Sequence, residues 1–485
     1  MLDICKQLFE DWNNKDIEYC HWKSNEHLKE GLCGITDLDI LVNIRDKEKC
    51  EESMKLLDIL QLKSQYGSRY PDVDDWVGMD KNTGKLIHIH LHYKIITGHK
   101  GMKEYNLPWS DIALKTRIKD RETDIYIMEP NLEIMTLYTR IALKASVKKV
   151  IKARINKFKL GADDLAEISY LKKRVDWEKV KHIIEQYYDD YLGIYKIIIK
   201  ENLSSHDFIN LRKKILKSMN KHRRGNALKM FIDEYYFAIV LKMINFVRHK
   251  CKMVLITRKV PISEKGLMVT FIGQDGSGKS TVTDEIEKWM SWKMDARKFY
   301  LGSGEHYNSW QKKIRDKLPN KKSKITLAIS GWLTLSDLKS LAKNTYKTIC
   351  KAQKYSNKGG IAIFDRYPQV DFLGINDGPK IRSNYIGKIN NKILKKYAMR
   401  CADKEEYYLS KATSINPQLV FKLMLPPKVS IMRKPEEDLE MVTRKHNIIK
   451  KLNFIDADIH IIDATQDYND EIYQIRSLLW EKIQK

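Results

Sequence analysis

A chain of 485 residues exceeds what one hydrophobic core of ordinary size serves, so two or three domains are expected. With 43% hydrophobic and 31% charged residues, the composition is globular and excludes disorder as the default state. The formal charge of +25 points either to anionic partners (nucleotides, nucleic acid, an acidic membrane face) or to a lysine-rich solvated surface, since the lysines are scattered.

The seven cysteines are odd in number, dispersed and without a CxxC pair. That argues against a disulfide framework or a cysteine zinc site and for a reducing compartment. The opening MLDICKQLFEDWNNKD places acids among its first apolar residues and lacks the long apolar stretch of a secretory signal. The longest apolar run, 235–247, is too short to span a bilayer. A cytoplasmic location is expected, with contact at the inner membrane face as an option.

Residues 1–128 read as an α/β unit. After an opening helix, Trp22-Lys23-Ser24 is followed by Asp37-Leu38-Asp39-Ile40-Leu41-Val42, where Leu38, Ile40 and Val42 alternate with the carboxylates. A strand would bury the first set and place Asp37 and Asp39 together on the other face, where they could hold a divalent cation against a triphosphate. A later strand, 85–93 (KLIHIHLHY), sets Ile87, Ile89 and Leu91 on one face and His88, His90 and His92 on the other. Those histidines either complete a metal site, bind phosphate, or form a partly exposed polar face.

On these residues the unit resembles the nucleotidyltransferase superfamily, and more narrowly an uncharacterised bacterial branch with a His-rich strand. The resemblance implies a metal site on Asp37, Asp39 and His90. Two departures stand out: Lys23-Ser24 replaces the family's Gly-Ser turn, and the His strand carries no third carboxylate.

Residues 129–225 change character. Ile134, Leu137, Tyr138 and Ile141 recur at helical spacing, as do residues in 165–171 and 180–187, so a helical bundle is expected. Its basic residues, Lys144, Lys148, Lys149, Lys152, Arg154, Lys157 and Lys159, read as a solvated face or a polyanion surface. Residues 226–265 form an apolar helix ending in Arg248, His249, Lys250 and Lys252, either packed between domains or resting on an anionic membrane, and then a linker.

From 266 to 485 a second α/β unit is expected. The β-branched run Val269-Thr270-Phe271-Ile272 passes into GQDGSGKST, residues 273–281, with the full GxxxxGK[ST] spacing. Gly273, Gly276, Ser277 and Gly278 would turn backbone N–H groups toward one anion, Lys279 would reach the β- and γ-phosphates, and the helix begun by Ser280 and Thr281 would add its positive end. Ser280 is the expected Mg²⁺ ligand. A strand 361–364 delivers Asp365-Arg366-Tyr367-Pro368 at its carboxyl end, where open α/β sheets bind ligands. Asp365 could order the metal or the acceptor, and Arg366 could clamp a phosphate.

With FDRYP at 364–368, the PQLVF…PP segment at 417–427, the basic stretch around Arg433 and Arg444, and IIDAT at 461–465, this unit resembles the thymidylate kinase family. The resemblance implies a doubly wound parallel-sheet P-loop fold, ATP and Mg²⁺ as cofactors, Asp275 near the acceptor sugar, Arg366 and Tyr367 on the acceptor side, and Arg433 and Arg444 as lid arginines. Asp377, in the turn 376–379, could touch an acceptor hydroxyl. Tyr300-Leu301-Gly302-Ser303-Gly304 departs from the family's arginine-bearing element, and a basic segment follows with Lys312, Lys313, Arg315, Lys317, Lys321, Lys322 and Lys324.

The expected function is ATP-dependent phosphoryl transfer to a nucleoside monophosphate, fused to a nucleotidyltransferase-like unit. Two other readings stand beside it: a kinase for a phosphorylated sugar or glycan in surface-polysaccharide assembly, and a nucleotide-switched nucleic-acid-binding protein.

Overall fold

The fold comes from a computed structural model that describes all residues except 64–69, 71, 100–101, 227–231, 233–238, 241–242, 245, 248–258, 262–265, 303–309, 316–323, 375–376 and 485. The helix expected within 226–252 falls largely outside the described residues, as do Arg248, His249, Lys250, Lys252, Lys317, Lys321, Lys322 and the side chains of Lys312, Arg315 and Lys324. The chain divides into two compact units, residues 1–250 and 251–485. Among the described residues no helix is long and apolar enough to cross a membrane, and the six described cysteines are unpaired.

Among the described residues of the first unit, seven strands share one mixed sheet, in the order Leu60–Lys63, Val73–Met79, Leu86–His92, Leu38–Val42, Tyr19–His21, Tyr126–Ile127, Ile118–Lys119. Alternation dictates its two faces. Leu38, Ile40 and Val42 join Ile87, Ile89 and Leu91 in a core closed by Phe9 and Trp12 of the helix Asp3–Asn14. Full burial of each aliphatic side chain contributes about 1.5–3 kcal/mol.

The opposite face is covered in part. Trp22 and Leu41 share a core with the helices Pro130–Leu143, Ala162–Lys172, Trp177–Tyr187, Tyr191–Ile198 and Ser205–Met219. The helical segment therefore packs onto the sheet, because Leu132, Met135 and their neighbours bury nearly the whole circumference of Pro130–Leu143. Along the carboxylate and histidine stripe His88 and His92 are buried, and Asp37, Asp75 and His90 keep partial exposure. Lys148, Lys152, Arg154, Lys157 and Lys159 are exposed, which a solvated face and a polyanion surface both require.

In the second unit five strands are all parallel, ordered Ala296–Lys298, Ile361–Phe364, Leu267–Gly273, Leu419–Met424, Asp458–Asp463. Their order in the chain is second, third, first, fourth, fifth, which makes the sheet doubly wound. The central strands are near-continuous apolar runs because helices cover both faces. The connection after the first strand runs one way and the connection after the third runs the other. The ligand crevice of such a sheet opens at the carboxyl ends beside that reversal.

Candidate functional site

The strand Leu267–Gly273 ends where the glycine-spaced loop begins, and the helix Lys279–Met290 starts directly after Gly278. Gly276 and Gly278 adopt φ of 81° and 82°, the left-handed region that disfavours side chains. At Gly273 an added Cβ would lie 2.4 Å from Ser277 Oγ and 2.8 Å from the Leu423 carbonyl, so only glycine fits. Inside the loop the Ser277 hydroxyl is buried without a hydrogen-bond partner. Lys279 folds back to donate to the Gln274 carbonyl at 2.8 Å. Burial lowers its pKa to about 8, against the opposing pull of Asp275.

A cleft joins this loop to the end of the neighbouring strand. It is lined by Asp275, Lys279, Arg366, Asp377, Lys380 and Lys445, among others. Asp365 is buried at the end of Ile361–Phe364, with one carboxylate oxygen lacking a hydrogen bond and lying 4.0 Å from Arg366 Nε. Arg366 pairs with Asp377 at 3.4 Å. Burial opposes the charge on Arg366, but Asp377 and Asp365 prevail and raise its pKa. A pocket with Leu301, Leu338, Leu341, Ala342 and Leu409 on its apolar side and Thr345 and Glu405 among its polar lining adjoins the cleft and shares Arg366, Asp377 and Lys380 with it.

The structure thus brings together Gly273, Asp275, Lys279, Arg366 and Asp377 from the sequence-derived set. Asp377 faces Arg366, at φ 61°. Arg433, at the end of Pro427–Arg433, reaches the loop, donating to the Gly276 carbonyl at 3.3 Å and to the Ala464 carbonyl at 3.2 Å. Ser280 and Thr281 are exposed at the helix start. Tyr367 lines the cleft, yet its hydroxyl donates to the Ile415 carbonyl and its ring packs near Phe364 and Phe454, so it acts largely as core.

Arg444 is exposed and makes no hydrogen bond or ion pair among those resolved. Its neighbour Lys445 points inward instead, binding the Asp275 carboxylate and standing 3.7 Å from Glu437. Burial tends to raise the Asp275 pKa, but Lys445 prevails and holds it low. One signal in the sequence marks Lys445: it shares a helical face with the buried Val442 and Ile449.

In the first unit, register sets the polar stripe. Asp39 and Asp75 both lie opposite His90, from the strands on either side. Asp75 adds a carboxylate beside Asp37 and Asp39, and it comes from an adjacent antiparallel strand that spacing alone does not reveal. Asp37 contacts His88 at 2.9 Å, while Asp39 contacts His90 and His92 at 3.2 and 3.3 Å. Two sets on this stripe, Asp37 with His88 and His90 and Asp39 with His90 and His92, each bring their donor atoms within 4.8 Å of one another. Lys23 stands 2.7 Å from Asp39. Burial pushes the Asp39 pKa up, but Lys23 and the two histidines hold it well below the usual range. Burial keeps His92 neutral, with a pKa lowered to about 3.

The turn before these strands is held by two carboxylates from the helices. Ser24, at φ 54°, donates its N–H and hydroxyl to Glu167 at 3.1 and 3.3 Å. Asn25 donates its N–H and amide to Glu133 at 3.2 and 2.7 Å. Arg140 binds Glu167 at 3.0 Å. Burial, with the charge of Glu167, raises the Glu133 pKa to about 8.

No family model matches the chain. Among curated proteins it is similar to the uncharacterized ATP-binding protein YghR of Escherichia coli K12, 24% identical over 221 residues that cover 43% of this chain and 84% of that protein. It is also similar to the uncharacterized ATP-binding protein YghS of the same strain, 26% identical over 227 residues that cover 43% of this chain and 89% of that one. Among solved structures, the deoxyadenosine kinase of M. mycoides with dCMP and a flexible dCDP overlaps 44% of this chain and 98% of its own, at 17% identity and a TM-score of 0.29. The dATP-bound form of that kinase gives 16% identity and a TM-score of 0.27.

Proposed function

We propose that residues 266–485 catalyse ATP-dependent phosphoryl transfer to a small phosphorylated acceptor, with a nucleoside monophosphate as first choice. The observation that carries this reading is a single cleft in which the phosphate-binding loop, Lys279 and Arg366 meet beside a pocket with leucine walls. The loop fits a triphosphate: a Cβ would close the space at Gly273, and Ser277 keeps an unsatisfied buried hydroxyl. The description of similar proteins as ATP-binding agrees.

Ser280 and Asp365 would hold Mg²⁺, which supplies charge neutralisation at the phosphates. The unbonded carboxylate oxygen of Asp365 suits that role. Lys279 would leave the Gln274 carbonyl and offer its charge to the β- and γ-phosphates. Arg366, released from Asp377, would clamp the acceptor's anionic group, and Lys445 with Arg433 would approach the loop from the lid side. An acceptor oxygen would then take the γ-phosphoryl group as its bond to the leaving diphosphate breaks. Leucine walls favour a nucleobase over the bare ring of a sugar phosphate.

Nucleotidyl transfer by the first unit would require Lys23 to leave Asp39 and Glu133 and Glu167 to release the turn. The deciding test is a screen of nucleoside monophosphates and sugar phosphates with γ-labelled ATP. Label should pass to a nucleoside monophosphate and vanish with Lys279→Ala. Transfer only to sugar phosphates would favour the polysaccharide reading, and nucleotide binding without any transfer would favour a switch.

A further inference from the structure

The pocket beside the phosphate cleft is walled on one side by two helices that pack along each other, Lys324–Ser356 and Lys392–Thr413. Leu338, Leu341, Ala342 and Thr345 recur on one face of the first at helical spacing, and Glu405 and Leu409 stand one turn apart on the second. Glu405 and Thr345 break the apolar pattern, and they are only 4% and 6% exposed. A carboxylate and a hydroxyl buried beside leucines are costly unless they are hydrogen-bonded.

Glu405 is half satisfied from within the fold. Its Oε2 accepts from the Lys380 N–H at 3.1 Å and from the Ile381 N–H at 2.8 Å, at the start of the short helix Ile381–Asn384. Burial raises its pKa, while those two N–H donors and the charge of Lys380 oppose the rise and favour the ionised form. Among the described residues its other oxygen, Oε1, accepts no hydrogen bond, and the Thr345 hydroxyl makes none. Anchoring the backbone at 380–381 thus occupies one oxygen of the two. The pocket also reaches Arg366, so a ligand with its anionic group held there would set its ring between the two helices.

We propose that Glu405 and Thr345 select the acceptor's base: Oε1 accepts from an exocyclic amino group and the Thr345 hydroxyl donates to the ring nitrogen beside it, so the preferred acceptor is a cytosine or adenine nucleoside monophosphate. The inference rests on the phosphoryl-transfer reading and adds the base to it. Cytosine carries its amino group at N4 and adenine at N6, where thymine and guanine carry the carbonyl oxygens O4 and O6. A carboxylate oxygen repels those carbonyls. The N3–H of thymine or uracil is no substitute, because it lies between two carbonyls. Guanine offers a fork of N–H donors, but a fork needs both carboxylate oxygens, and Oε2 is already taken.

The test measures label transfer from γ-labelled ATP to CMP, AMP, UMP and GMP and to dCMP, dAMP, dTMP and dGMP, using the full-length protein. For the cytosine and adenine acceptors kcat/KM should exceed that for the others by at least about 10-fold, the range of a hydrogen bond to a charged group. In Glu405→Gln the side-chain carbonyl still accepts from the two backbone N–H groups, while an NH₂ donor replaces Oε1. The ratio of dCMP to dTMP use should therefore fall by at least about 10-fold, with the KM for ATP unchanged. Thr345→Val should lower cytosine and adenine use by about 3- to 10-fold and leave dTMP use within twofold. Circular dichroism and the melting temperature of each variant separate altered recognition from loss of fold. A wild-type preference for UMP, dTMP or GMP would overturn the inference while leaving phosphoryl transfer in place. An equal loss for every base in a folded Glu405→Gln protein would also overturn it and reduce Glu405 to an anchor for the backbone. Absence of transfer to every nucleoside monophosphate would remove the nucleotide reading itself, and this inference with it.

Discussion

At the scale of single residues, Lys279 carries the sharpest conflict between stability and function. Its ammonium is buried, its pKa falls from 10.5 to about 8, and its one resolved hydrogen bond runs to the Gln274 carbonyl. That carbonyl also accepts from the Ser277 N–H, so it keeps a partner if the lysine is lost. Below pH 8 both folded and unfolded chains hold the proton, and the full cost of burying the charge is present. Between 8 and 10.5 the unfolded chain holds more protons, so stability rises with pH as the folded lysine sheds its charge. Lys279→Met should therefore stabilise the nucleotide-free protein near pH 7, by about 1 kcal/mol after allowance for partial solvent screening, or some 2–4 °C. The advantage should shrink as pH passes 8, while phosphoryl transfer is lost at every pH. Melting curves at pH 7 and 9.5 check it, and a lower melting temperature for the variant at pH 7 would contradict the argument.

At the scale of elements, local spacing and long-range placement were unequally legible. The GxxxxGK[ST] loop, the strand before FDRYP and the alternation around Asp37 and Asp39 are set by neighbours in sequence, and the structure forms each as the spacing implies. Asp75, Glu133, Glu167 and Lys445 reach their sites from separate elements, and their roles depend on register and helix phase across large sequence separations. The helix Leu439–Lys451 shows the difference within one pair of residues. Both Arg444 and Lys445 are basic, but adjacent helical positions diverge by about 100°, so only one can face the loop. Lys445 does, through Asp275. Under the phosphoryl-transfer reading, Lys445→Ala should lower turnover roughly 10- to 100-fold, whereas Arg444→Ala should stay within about twofold. Steady-state kinetics with the acceptor found by screening measures both, and the reverse ranking would restore Arg444 as the lid residue.

At the scale of the whole molecule, two compact units with separate cores carry two chemically different sites. One is built from backbone N–H groups and basic side chains and suits a polyanion. The other is built from imidazoles and carboxylates. Their thermodynamic linkage to ligands should differ accordingly. A ligand that binds only the folded state stabilises it by RT ln(1 + [L]/Kd), about 2.7 kcal/mol at a hundredfold excess over Kd. That energy enters through the loop after Leu267–Gly273, so amides of this strand and of Lys279–Met290 should exchange roughly 100-fold more slowly where exchange requires opening of their unit. Amides of Leu86–His92 in the first unit should keep their rates. Hydrogen exchange followed by mass spectrometry, with and without Mg²⁺ and a non-hydrolysable ATP analogue, reads both regions at once. Equal slowing in the two units would show that the nucleotide is sensed by the first as well. No slowing in either, or slowing that survives Lys279→Ala, would remove the loop at Gly273 as the binding site.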